Sequence, residues 1–591
     1  MIQSQRRIRL AALARAIVVV FLATGVSAGS QASSRPEFLR TTSEAGQPGG
    51  RLIIAEATEP KTFNPVTVID RPSRDVVRRM TGDLIHINRE TQRTEPALAK
   101  SWTASRDGKT FTLRLRRGIK FSDGVPFDAD DVVFSFQVYL DEKIDYPQRS
   151  FLFIHGKPLQ VQKLGPYTVR FSFVSPYAAA ERLFDSVAML PRHLLEQPYK
   201  EGKLNQAWGL DTPPDKMAGL GPFRVKQVVP GQRIVLERNQ YYWKIDSKGQ
   251  KLPYLDELVF VSIPSRDAQV VRFQAGEVQV LESLTAENFL AMEPEQKARH
   301  YKLYDVGPGL EYNFLLFNLN RGLESKLPEI ARKQTWFRDV RFRQAISYAI
   351  DRAAIVRLVY QGKGAPLATL VTPGEKLWLD SSIPIPEHSV AKARQLLQSA
   401  GFSWKADGAL VDSGGKPVEF TILASASNAQ RAQMATLIQQ DLKSVGISVH
   451  AVTLEFRSMV QRITDSHDYE AAIMGLAGGD SDPNEALDTL SSSGSTHLWA
   501  LDEKPPLQPW QAQVDELMQK QLITMNYPGR KKVFDQVQQI VAREQPAVFL
   551  ASPHILVAAH EGLGNIRPAI IENYLLWNSD EIFWRTPAGK R

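Results

Sequence analysis

Residues 96–136 read PALAKSWTASRDGKTFTLRLRRGIKFSDGVPFDADDVVFSF. Two Asp-Gly pairs punctuate this stretch, Asp107-Gly108 and Asp123-Gly124. Each signals a tight turn, because glycine takes a left-handed backbone without a steric cost. Between them, residues 110–116 (TFTLRLR) alternate apolar and polar side chains, the period of a half-buried strand. Beyond the second turn, Asp130 or Asp131 stands where a helix begins, with its carboxylate toward the positive end of the helix dipole. Further along, Gly165-Pro166 turns into another alternating run, residues 167–173 (YTVRFSF). Phe223–Val229 and residues 234–238 flank Pro230-Gly231 and predict a hairpin. Residues 312–318 (YNFLLFN) are apolar almost throughout, as in a strand covered on both faces.

Helices become denser after residue 335. Asp339 precedes VRFRQAISYAIDRAAIVRLVY, in which Phe342, Ile346, Ala349, Ile350 and Ala353 share one stripe, and Gly362 and Gly364 stop the run. Val390–Ser399 and residues 430–444 predict two more helices, the second followed by a strand, ISVHAVTLE. Pro528 suits the first turn of a helix running to Arg543. Strands and helices therefore alternate irregularly.

A chain of 591 residues exceeds one compact core, so two or three lobes are expected. The net charge of +8 includes four arginines in the first 28 residues, which hold no acid. The remaining excess is small and forms no basic stripe, which argues against a nucleic-acid partner. The chain has no cysteine. Disulfides, thiolate metal sites, a cysteine nucleophile and a lipid-modified N-terminal cysteine are thereby excluded.

Residues 1–15 are basic, residues 16–26 (AIVVVFLATGV) are apolar, and small residues follow. This is the order of a secretory signal peptide, with cleavage after Ala28 or Ala32. The apolar run is too short for a membrane span, which needs about 20 residues. Residues 1–28 are therefore expected to be removed on export to the periplasm, and 29–50, rich in Ser, Thr, Gly and Pro, to form a flexible leader.

Catalytic and metal patterns are mostly missing. Gly479-Asp480-Ser481-Asp482-Pro483 approaches a nucleophile elbow but lacks the final glycine that the sharp turn requires. Gly219-x-Gly221 lacks a third glycine and runs into Pro222, so no dinucleotide site is supported. No two of the ten histidines have zinc-pair spacing. Asp480, Asp482 and Asn484 match three positions of a calcium loop, but Glu485 and Ser491 stand where glycine and a bidentate acid belong. No catalytic residue, metal or cofactor is expected.

The ordered motifs do match a known pattern. Within 96–136 the order is Leu-Ala-x-Ser-Trp, Asp-Gly-x-Thr-Phe, a basic strand, Phe-x-Asp-Gly-x-Pro and Ala-x-Asp-Val-Val. Residues 219–243 supply a Gly-x-Gly-Pro hairpin block, and 339–360 an Asp-x-Arg-x-Arg-Gln-Ala-Ile-x-x-Ala-Ile-Asp-Arg helix. Together they resemble family 5 extracellular solute-binding proteins of ABC transporters, the oligopeptide/dipeptide/nickel-binding group. The resemblance spans residues 50 to 580. It implies an α/β, two-lobed periplasmic-binding-protein-like fold (class II, the large peptide-binding type with an extra subdomain). Residues 51–310 would form lobe I with the extra subdomain, 311–546 lobe II, and 547–591 a C-terminal return to lobe I. It further implies a monomer that closes on a small solute, chiefly a peptide, and delivers it unaltered to ABC permease subunits in the inner membrane.

Relatives that bind peptides often hold the peptide ammonium with an Asp three residues before an Asp-Pro. Here that position is Gly479, and Asp480 lies only two before Asp482-Pro483. No cation precedes the helix near 430, where dipeptide-type relatives carry one for a carboxylate. A longer peptide is thus favoured over a dipeptide, with an oligosaccharide or a nickel chelate as alternatives on the same scaffold. An exported serine hydrolase using Ser481 is the rival from another class. The expected cleft residues are Phe63, Asn64, Tyr312, Asn313, Gly479, Asp480, Ser481, Asp482 and Trp499. For Tyr312 and Trp499 the competing account is core packing, and for Asn64 a turn before Pro65.

Overall fold

A computed structural model describes residues 36–586, except 155, 186, 502–504 and 507. The expected signal peptide, both of its cleavage sites and the start of the leader lie outside the described residues. Among the described residues no helix is long and apolar enough to cross a membrane.

The deciding stretch folds as read. Ala99–Ala104, Thr110–Leu115, Thr168–Ser172 and Gln160–Gly165 form a four-stranded antiparallel sheet in that order. Gly108 makes its turn at φ +68°, and the Asp107 carboxylate accepts from the Lys109 amide at 3.1 Å. Helix Ala129–Leu140 starts at a capping box. Asp128 accepts from the Asp130 amide at 2.7 Å, and Asp131 accepts from the Asp128 amide at 3.0 Å. Two orphan amides of the first turn are satisfied in this way.

A second, larger sheet has twelve strands. Its path runs Phe223–Val229, Arg233–Arg238, Glu257–Ser262, Arg51–Glu56, Val280–Leu281, Ala547–His560, Glu311–Phe317, Ala471–Ala477, Glu419–Ser425 and Ser448–Leu454. Tyr301–Pro308 and Gly364–Pro366 pair with Ala547–His560 off that path. The 14-residue strand Ala547–His560 joins two hydrophobic cores. Ala547–Ala551 belong to the core holding Phe317, Phe342 and Ile422. Val557 and Ala559 belong to the core holding Leu52, Phe111 and Leu258. Leu556 and Ala558 point to the opposite face, into a small third core with Phe273 and Tyr301, as the two-residue period of a strand requires.

A second crossing lies beside it. Tyr301–Pro308 pairs with the far half of the long strand and Glu311–Phe317 with the near half. Between them Gly309 donates its amide to Pro553 O at 3.0 Å. Register shifts fall on both sides, at Asp305/Pro308 and Asn313/Phe314. Tyr301–Pro308 and Glu311–Phe317, with glycines at 307 and 309, form a second covalent link beside Ala547–His560, and such positions can absorb backbone rotation.

Two expectations need correction. The run after Asp339 is two helices, Val340–Ala349 and Arg352–Val359. Asp351 interrupts it by capping the second, accepting from the Ala354 amide at 2.8 Å, while Asp441 accepts the Asp351 amide at 2.9 Å. The described part of the leader is not free either. Leu39–Arg40 pairs in parallel with Lys244–Ile245, Glu37 meets Lys100 at 2.7 Å, and Glu44 meets Arg585 at 3.0 Å. Small polar residues read as a linker, but pairing partners hundreds of residues away are invisible to local composition.

Candidate functional site

The two lobes meet around a cavity of about 670 Å³. One wall comes from the first lobe, with Phe151, Phe153, Ile154 and Tyr177. The opposite wall has Tyr312, Leu370, Glu375 and several residues between 476 and 496, among them Asp480, Asp482, Glu485 and Asp488. A smaller cavity of about 230 Å³ adjoins it, sharing Phe151, Tyr177, Asp480, Asp482, Asn484 and Glu485 and adding Arg74, Arg78, Arg89 and Arg182. The volume falls within the ~300–1,000 Å³ of ordinary small-molecule sites, and an interdomain position is where such sites concentrate.

Contacts across the cleft hold the lobes together. The Arg182 guanidinium donates to both carboxylate oxygens of Asp480. A third donation, 2.8 Å to Gln92 O, orients it. Asn484 Nδ2 donates to the Tyr177 hydroxyl at 3.2 Å, and the Ala178 amide to Leu522 O at 2.7 Å. Asp482 is buried against Arg530, with bonds of 2.8 and 2.6 Å. Burial pushes the Asp482 carboxyl up, but the Arg530 and Arg182 charges outweigh it and hold it below the usual carboxylate range.

Two acids in the wall behave differently. Glu375 follows the Leu370–Val371 wall and accepts the Thr372 amide at 2.6 Å. Burial, reinforced by the charge of Asp480, pushes its carboxyl up to about 8. Glu485 lies in the short 3-10 turn Pro483–Ala486, capped by Asp482, and accepts the Gly479 amide at 3.1 Å. Burial and the charge of Asp480 push it up to about 7.

Of the nine expected cleft residues, Tyr312, Asp480 and Asp482 line the main cavity and Gly479 the adjoining one. The other five do not. Phe63 is fully buried in the first core. Asn64 holds its own turn, donating to Leu204 O at 2.7 Å and accepting the Val66 amide at 2.9 Å. Asn313 is saturated by Arg431, Tyr360 and Ala551. Trp499 is 3% exposed and packs on His497 with ring centroids 4.4 Å apart. Ser481 is fully buried, and its hydroxyl has no partner among the described residues. A nucleophile needs a base and an open approach, so the hydrolase reading loses its premise.

Sequence reasoning missed Arg182, Tyr177 and Glu375, which sit far from the Gly479–Asp482 loop in the chain. Only Glu485, noted as a misfit to a calcium loop, carried a signal. It also missed Asp83, His86 and Asp185, whose potential ligand atoms lie within 4.8 Å of one another. Asp185 is already engaged by Arg89 at 2.7 Å and by the Ile87 amide at 2.7 Å. Desolvation would drive the His86 imidazole down, but its bonds to Asp185 and Asp83 raise it overall. That cluster is a satisfied charge network.

The family model for bacterial extracellular solute-binding proteins, family 5 Middle, matches residues 93–497. Over 529 residues the chain is 27% identical to a probable ABC transporter-binding protein of Deinococcus radiodurans, covering 86% of this chain and 87% of that one. It is 27% identical over 569 residues to the oligopeptide-binding protein AppA of Bacillus subtilis, covering 94% and 96%. The solved structure of that AppA in complex with a nonapeptide aligns with a TM-score of 0.66 at 26% identity, over 92% of this chain and 100% of that one.

Proposed function

The chain belongs to family 5 of the bacterial extracellular solute-binding proteins, and from that premise we propose that it is the solute-capturing component of an ABC importer whose cargo is a peptide. The peptide lies in the interlobe cavity and passes unaltered to permease subunits in the inner membrane. The observation that carries this reading is the cavity itself: about 670 Å³, walled by both lobes and adjoining a smaller arginine-bearing pocket. The relatives named for oligopeptides and the AppA–nonapeptide complex support a peptide over other solutes.

In this reading the lobes are residues 51–310 and 311–546, with 547–591 returning to the first. Tyr312, Gly479, Asp480 and Asp482 contact the cargo. The protein works as a periplasmic monomer after loss of residues 1–28. Ligand that touches both walls favours the closed arrangement by binding it better than the open one.

A thermal-shift screen tests the proposal, because a ligand that binds only the folded state raises the melting temperature. Peptides of three to ten residues are expected to shift it. A shift with gluco- or manno-oligosaccharides or nickel chelates, and none with any peptide, would overturn it.

A further inference from the structure

The main cavity is charged with one sign. Its ionisable wall residues are Glu375, Asp480, Asp482, Glu485 and Asp488, and no Lys, Arg or His among the described residues stands with them. Three of these five are already balanced. Asp480 and Asp482 take the guanidiniums of Arg182 and Arg530 from outside the wall. Asp488 is held by amides and hydroxyls, with Ser495 N at 3.0 Å, Ser495 Oγ at 2.7 Å and Thr496 N at 3.1 Å. Glu375 and Glu485 are not balanced. Each accepts one backbone amide, and neither forms an ion pair among the described residues. Ser491 Oγ is also buried in this wall without a partner, a further unmet polar group.

We infer that the cavity selects cargo bearing positive charge, a peptide with lysine or arginine side chains, and that Glu375 and Glu485 are the residues that receive it. The inference rests on the peptide reading above and deepens it. Placing an anionic side chain here would add a sixth acid to a partly desolvated chamber, where like charges are poorly screened. A neutral side chain leaves two carboxylates as they are. An ammonium or guanidinium brings charge-assisted hydrogen bonds to both. The raised proton affinity of these two acids comes from burial and the charge of Asp480, and a cationic side chain placed beside them would oppose it.

The test uses the full exported chain at pH 8.5 and low salt, measured by titration calorimetry. The probes are one pentapeptide with two central lysines, its Gln-for-Lys and Glu-for-Lys counterparts, and spermidine. We expect the lysine peptide to bind about tenfold tighter than the glutamine peptide, and the glutamate peptide weakest. In Glu375→Gln/Glu485→Gln the lysine advantage over the glutamine peptide falls to about twofold or less. Circular dichroism checks that the double variant folds. The ranking on the unmodified protein needs no variant. Equal affinities for lysine and glutamine peptides overturn the charge inference and leave the peptide reading standing. Spermidine binding, with no peptide bound, overturns the peptide reading and keeps only the preference for positive charge. Binding of none of the four overturns the charge inference too.

Discussion

Arg182 and Asp480 face each other across the cleft, one from each lobe, and the guanidinium forks onto the carboxylate. Asp480 lies one position from where peptide-binding relatives carry the acid for a peptide ammonium, and here its charge is met by the protein itself. The pair therefore ties the two walls of the cavity together.

Removing that tie is expected to loosen the closed arrangement. The pair is partly buried, with side-chain exposures of 12% and 15%, so its loss should weaken interlobe coupling by about 1–3 kcal/mol. Arg182→Ala should raise the radius of gyration of the empty protein in small-angle scattering. Arg182→Lys should restore little, because a single ammonium cannot make the fork. Scattering curves identical to those of the unmodified protein would refute the role.

Asp482→Asn should destabilise the fold strongly. The change strands the Arg530 guanidinium in a site where the two side chains are only 6% and 4% exposed. Breaking one partner of a buried pair costs about 3–5 kcal/mol. Asp482 also caps the turn Pro483–Ala486 through the Asn484 amide at 2.9 Å. Chemical denaturation should show a clearly lower midpoint with an unchanged slope.

Ser481→Ala should leave peptide affinity unchanged and raise stability slightly. The hydroxyl is buried and unpartnered, so its deletion removes an unmet polar group. Hydrolysis of ester or amide substrates that disappears in this variant would overturn the transport reading.

Glu375 gives the protein a pH signature. Its carboxyl sits above its ordinary 4.5, at about 8, through burial and the charge of Asp480, with the Thr372 amide opposing. The folded state thus holds the proton more tightly than the unfolded chain. This favourable contribution is complete below about 4.5 and lost as pH climbs toward 8. Glu375→Gln should raise the melting temperature by about 1–3 °C at pH 8.5 relative to the unmodified protein, and by less at pH 5. Basic peptides should bind tighter as pH rises from 6 to 8.5, because they pair with the deprotonated form. The opposite slope would contradict this assignment.

Much of the fold was legible because its signals are local. The Asp107-Gly108 turn, the alternation over Thr110–Leu115 and the bounds of Val390–Ser399 need only a few neighbouring residues. The cavity was legible only in part. The Gly479–Asp482 loop announced itself through glycine and acid content. Arg182 and Tyr177 come from a short connecting stretch with no pattern, and they matter only because the topology swings it against that loop. Phe63, Asn313 and Trp499 misled for the converse reason: an aromatic or amide side chain has the same sequence signature whether it faces a cleft or a core. The two-helix break at Asp351 depends on Asp441, 90 positions away.

The central claim is that this protein carries a peptide and releases it unchanged. Native mass spectrometry of the protein purified with its own cargo measures this directly, before and after denaturing release. The account predicts bound masses that resolve to short peptides rich in lysine or arginine, recovered intact after prolonged incubation. A cargo of sugar or metal chelate, or a peptide cleaved or modified while bound, would contradict it.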